Sequence, residues 1–168
     1  MKRLTILRTL THILYVLSLI GLFFAVPFVL VMAVMPERIP FKIGDLQASA
    51  YGAETIIYLL ASIAGLAFDI YALYMFKKLL RLFAKKVIFH VDVISLLDQI
   101  GKAILIGYTI CFAADFLYSM LVENRIEMEL VSGVDSSIIT IGLGIFFLVL
   151  SDVFLVAKNI KDENDLTV

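Results

Sequence analysis

One cysteine in 168 residues leaves no partner for an intramolecular disulfide, and none for the paired-cysteine metal or redox sites that spacing would reveal. Cys111 lies in an apolar run and reads as a small packing residue. A four-helix quinone-linked thiol oxidoreductase, which needs a CxxC pair, is excluded. Charge is scarce as well: 17% of residues are charged, against about a quarter in soluble domains. Nine Gly and three Pro are too few for a collagen-like chain, and the polar bias of a disordered chain is missing. Catalytic signatures are also lacking, with no HExxH, no GxSxG, no Walker-type glycine loop and no Ser or Thr nucleophile beside a base. His12 and His90 stand half a chain apart with poor metal-ligand company. The expectation is a non-enzymatic protein without cofactor or metal.

What the chain has in abundance is apolar surface: 62% of residues are hydrophobic and the mean hydropathy is +1.02. That exceeds the usual soluble range and predicts one compact integral membrane unit, residues 1–168. Crossings need about 20 predominantly apolar residues each, and they fall at about 10–35, 55–76, 103–122 and 137–157. The first, uncharged from Ile13 to Val34, is too long for a signal peptide. No small-residue cleavage site follows it, and Pro36, Glu37, Arg38 and Pro40 should stop the helix. Pro27 inside this span is a candidate kink of the kind membrane helices tolerate. Backbone groups in hydrocarbon must be satisfied within the segment, so the spans should be helices. Short connections should make neighbours antiparallel. The predicted fold is all-α, an antiparallel up-down four-helix transmembrane bundle. The connections at 36–54 and 123–136 are too short to hold a core of their own.

Eleven of the 14 Lys and Arg fall on one side: Lys2, Arg3, Arg8, Lys77, Lys78, Arg81, Lys85, Lys86, Lys102, Lys158 and Lys161. Arg38, Lys42 and Arg125 fall on the other. The positive-inside rule therefore predicts cytoplasmic N and C termini and a cytoplasmic loop at 77–102, in an inner (plasma) membrane. Tyr51 and Tyr58 at one boundary, with Tyr74 and Phe76 at the other, suit interfacial anchors.

The central loop alternates basic pairs with apolar clusters. Leu79, Leu80, Leu82 and Phe83 around Arg81 predict a cytoplasmic extension of the second helix, its lysines reaching anionic headgroups. Asp92 is the expected N-cap of a second short amphipathic stretch with Ile94, Leu97, Ile100 and Gly101. Lys77, Lys78, Arg81, Lys85 and Lys86 are thus candidates for contact with the membrane surface or a cytoplasmic partner. Direct nucleic-acid binding is not expected, because no groove-reading motif surrounds them.

Three aspartates, Asp69, Asp115 and Asp152, fall inside spans, where each costs about 2.5–3.5 kcal/mol near a helix centre. Counting from helix ends, Asp69 and Asp152 are expected to share an inner layer that His12 approaches, with Asp115 a separate site nearer the other end. Such a cluster fits a proton- or cation-responsive relay. Alternatively the carboxylates bond to Ser62, Tyr71, Ser151 or Asn159 and fix bundle register. Phe68-Asp69-Ile70-Tyr71 echoes Ser151-Asp152-Val153-Phe154, as parallel repeats would. Gly101, Gly107, Gly142 and Gly144 are candidates for close helix contact.

The segment Leu82-Phe83-Ala84-Lys85-Lys86-Val87-Ile88-Phe89, continuing to Leu97 and Ile100-Gly101, and the ending Glu163-Asn164-Asp165-Leu166-Thr167-Val168 resemble one bacterial family. That family is the domain of unknown function 2975. Its members are small four-span proteins with a central basic loop carrying a Lys-Gly-x-Ile-Phe-like motif and a C-terminus like Asp-Leu-Thr-Val. The resemblance extends over essentially the whole chain, with Val87 standing where a glycine is usual. Genes of the family often resemble partners of small helix-turn-helix regulators. By that resemblance the protein is an accessory or regulatory membrane component that holds a cytoplasmic DNA-binding regulator through its basic loop and its tail, where Ile160 and Leu166 are apolar points in an acidic segment. The alternative is a small transporter or channel subunit using the intramembrane aspartates, as a homo-oligomer because four helices enclose little lumen.

Overall fold

The computed structural model describes residues 2–34, 42–43, 46–47, 52–123 and 134–166. Four long helices dominate it: α1 (Lys2–Val34), α2 (Ala53–Ala84), α3 (Val91–Tyr118) and α4 (Val134–Leu166). A π-helical turn, Ser119–Glu123, continues α3. Two-residue strands β1 (Lys42–Ile43) and β2 (Leu46–Gln47) pair antiparallel. All four helices are long and apolar enough to cross a membrane. The expected proline stop at 36–40, the anchor Tyr51, and the basic residues Arg38 and Arg125 lie outside the described residues.

The helices run past the bilayer. At about 1.5 Å per residue, the 33 residues of α1 and of α4 and the 32 of α2 span close to 50 Å, against a hydrocarbon core of about 30 Å. α1 is helical straight through Pro27, whose missing N–H costs one hydrogen bond. α2 extends to Ala84, as the apolar spacing around Arg81 predicts. α3 begins at Val91, twelve residues before the expected third span, so the short amphipathic stretch is the first part of α3 itself. Its N-cap is His90, not Asp92: the backbone at His90 is extended and its Nδ1 accepts from the Asp92 N–H at 3.3 Å. Asp92 instead sits in the first turn, where its negative charge complements the helix dipole.

Between α2 and α3 the chain turns in four hydrogen-bonded steps. The Val87 N–H bonds the Leu82 carbonyl at 3.1 Å and the Lys86 N–H bonds the Phe83 carbonyl at 3.0 Å, the Schellman pattern that closes a helix. The left-handed residue this pattern requires is Lys86, at φ 60°. The position that favours glycine is therefore Lys86, one residue before Val87.

Consecutive helices pack antiparallel, α1 on α2, α2 on α3 and α3 on α4. α2 also meets α4 through rings: Phe76 stands edge-on to Phe147 at 6.0 Å, and Phe83 stacks on Phe154 at 6.4 Å. The buried core is concentrated at the basic end, around Leu79, Val93, Leu96, Leu97 and Ile100. Val93 and Leu97 are wholly buried. This placement follows from solvent. Toward the other end apolar side chains such as Phe23, Phe24 and Leu143 can face lipid, whereas the overrunning turns meet water and headgroups and must hide theirs against one another.

Two glycine pairs set the helix crossings. A Cβ at Gly101 would lie 2.8 Å from the Gly144 carbonyl oxygen, and a Cβ at Gly107 would lie 3.1 Å from the Gly65 carbonyl oxygen. A Cβ at Gly65 would also collide with the Cys111 sulfur. Gly142 has nothing within 4 Å and is no contact glycine, contrary to expectation.

Candidate functional site

The stripe Lys77, Arg81, Lys85 recurs every four residues along α2 and its C-cap, so these side chains share one face. That face meets Arg8 and His12 of α1, themselves four apart. Together with Thr9 and Ala84 they line a cavity of about 670 Å³. Every ionisable residue in its lining is basic, and among the described residues none of the five forms an ion pair with a carboxylate. The Lys77 ammonium lies 4.8 Å over the Tyr15 ring. Lys78 and Lys86 do not line the cavity and are exposed at the same end. The expected basic group thus divides in two, with Lys77, Arg81 and Lys85 turned to α1 and the other two turned outward.

His12 belongs to this basic cavity and not to an aspartate layer. The aspartates do not form that layer either. An added Cβ on Gly107 would lie 3.2 Å from the Asp69 carboxylate, which places Asp69 level with Gly107. Asp152 follows Ser151, whose Oγ donates to the Ile94 carbonyl at 2.9 Å. Thirteen residues separate those levels on α3, or about 20 Å along the axis. Asp152 is therefore at the basic end and Asp69 is deep in the bundle, so the echo between the two tetrapeptides is not an equivalence of depth. All three aspartates are exposed on the isolated chain.

Asp69 and Asp115 do share a seam. Cys111 lies on the α2–α3 contact against Gly65, both aspartates are its electrostatic neighbours, and Tyr58 is an electrostatic neighbour of Asp115. Tyr58 also packs on Tyr118 at 4.6 Å between centroids, and the Tyr118 hydroxyl lies 3.4 Å from that of buried Thr55. Tyr58 is thus an interhelical residue more than a boundary anchor, and Phe76 likewise packs inward, while Tyr74 remains exposed. Three of the four register partners expected for the acids are otherwise engaged, and Asn159 is exposed. Ser62 donates to the Tyr58 carbonyl, Tyr71 to the Gln99 side chain, and Ser151 to Ile94.

At the C-terminus α4 stays helical to Leu166, with Lys158 paired to Asp162 one turn on. Ile160 is exposed beside the acidic residues Asp162, Glu163 and Asp165. The side chain of Leu166 lies outside the described residues.

Arg8 and Tyr15 were not singled out by the motifs, although a signal was present: Arg8, His12 and Tyr15 recur at helical spacing opposite Lys85, Lys77 and Tyr74. The missing information was which face of α1 meets α2.

A family model described as a protein of unknown function, DUF2975, matches residues 35–168. The match takes in α2, α3 and α4 and begins after α1, so it is shorter than the whole-chain resemblance expected from the motifs. No curated protein and no solved structure matches.

Proposed function

The chain belongs to the DUF2975 family, and on that premise we propose that it is a membrane-embedded regulatory protein that engages a cytoplasmic helix-turn-helix regulator, without enzymatic activity of its own. The basic end faces the cytoplasm in this reading, by the excess of Lys and Arg there. The observation that carries it is the packing of the overrunning turns. A partner needs a surface of fixed shape, and the residues between the second and third spans form a helical hairpin seated on wholly buried Val93 and Leu97. Lys78 and Lys86 stand exposed on that hairpin, and the acidic helical tail of α4 emerges at the same end. A basic face beside an acidic helix offers two complementary charges to a regulator, which favours selective encounter.

The test is binding of a purified helix-turn-helix regulator to the full chain in nanodiscs. Lys78→Glu with Lys86→Glu should weaken binding by about tenfold or more, and so should a chain ending at Lys158. Unchanged binding by both, with topology verified, rejects this reading.

A second reading, a proton- or cation-responsive path, is supported by the seam that joins Asp69, Cys111 and Asp115. It retains two aspartates and leaves Asp152 out. Ion flux in proteoliposomes that disappears in Asp69→Asn would favour it.

A further inference from the structure

The α1–α2 face carries two adjoining features of opposite character. At the basic end is the cavity of about 670 Å³ lined by Arg8, His12, Lys77, Arg81 and Lys85. Next to it, toward the bundle centre, is a groove of about 260 Å³ lined by Tyr15, Ala67, Ile70, Tyr71 and Tyr74. The α2 residues of the two form one stripe at helical spacing, so cavity and groove lie on a single face. Tyr15 joins them: its ring is a wall of the groove and its face carries the Lys77 ammonium of the cavity.

We propose that this face binds one anionic phospholipid, with its phosphate headgroup among the cations and an acyl chain along the groove. Three features support it. The cations have no carboxylate partner among the described residues, so their charge is uncompensated at a place where α1 and α2 leave open volume. Two of them are arginines, whose planar forks match phosphate oxygens. The depth is also right: exposed Tyr74, between cavity and groove, marks the level at which aromatic side chains meet headgroups, with Lys77, Arg81 and Lys85 outside that level and Ala67, Ile70 and Tyr71 inside it. A soluble phosphate compound shares the headgroup chemistry but has no use for the apolar groove. A diffuse basic surface would attract many lipids weakly, whereas this face holds one.

The experiment counts lipids retained by the full chain in native mass spectrometry, after reconstitution in phosphatidylcholine with and without phosphatidylglycerol. One phosphatidylglycerol per chain is expected. Arg8→Gln with Arg81→Gln should lower its affinity by about tenfold or more, from two lost charge-assisted contacts. Arg3→Gln with Lys102→Gln removes the same charge from exposed positions outside the cavity, and should change affinity by about twofold at most. Ala84→Glu, which places a carboxylate in the cavity without removing a cation, should reproduce the loss. Equal losses in the two charge-removing doubles would show diffuse attraction and overturn the proposal. So would inorganic phosphate that binds the chain in pure phosphatidylcholine and abolishes phosphatidylglycerol retention in the mixed membranes. Circular dichroism in phosphatidylcholine separates lost binding from lost fold, and Ala84→Glu decides the matter if the arginine variant loses helix.

Discussion

The Lys77 ammonium rests 4.8 Å above the Tyr15 ring, joining the first helix to the second at the level where basic residues give way to aromatic ones. Cation–π contacts at partly exposed sites contribute about 0.5–1 kcal/mol. A double-mutant cycle of Tyr15→Leu and Lys77→Gln, read from unfolding in detergent, should return a coupling of that size. Strict additivity would show that the two side chains do not act on each other.

At the α3–α4 crossing, Gly101→Ala places a methyl group 2.8 Å from the Gly144 carbonyl oxygen and against the Leu148 side chain. Backbone must shift to admit it, at about 1–3 kcal/mol. Gly142→Ala meets open space and should raise stability by up to about 1 kcal/mol through helix propensity. Melting temperatures of the two variants should move in opposite directions.

Lys86 occupies a left-handed backbone position in the hairpin turn. A side chain there costs about 1–2 kcal/mol, and a glycine gives back about 0.5–1 kcal/mol through its freer unfolded chain. Lys86→Gly is therefore expected to stabilise the fold by up to about 1 kcal/mol. A lower melting temperature would mean that the turn is not closed in this way.

Core and lipid-facing leucines should differ sharply. Leu97 is wholly buried at the basic end, whereas Leu143 is 47% exposed. Leu97→Ala should cost about 2–5 kcal/mol, and Leu143→Ala about 0.5 kcal/mol or less, because lipid tails replace what the leucine loses. Comparable costs at the two positions would mean that the core is not concentrated at the basic end.

The crossings were readable from the sequence because hydropathy is a local property: four apolar runs of sufficient length give four helices whatever their packing. The extension of α2 past Lys77 was readable for the same reason, since Leu79, Leu80, Leu82 and Phe83 repeat at helical spacing. Depth was not. Counting from span ends places Asp69 and Asp152 level, but α2 runs to Ala84 and α4 to Leu166. Their true levels depend on which residues of α3 they face. Helix starts failed in a related way, because Asp92 has the better capping chemistry and His90 has the required extended backbone. The basic residues of the central loop were legible as a group. Their division between a cavity shared with Arg8 and His12 and an outward pair at Lys78 and Lys86 required knowing how α1 docks.

On the proposed function the protein works through its basic end and not through its aspartates. Transcript profiling of the native host, comparing Lys78→Glu with Lys86→Glu against the triple change Asp69→Asn, Asp115→Asn and Asp152→Asn, tests this most directly. The lysine reversals should reproduce the transcript changes of a deletion strain while the aspartate variant, inserted and folded, matches wild type. A deletion-like profile from the folded aspartate variant, with a wild-type profile from the lysine reversals, would contradict it.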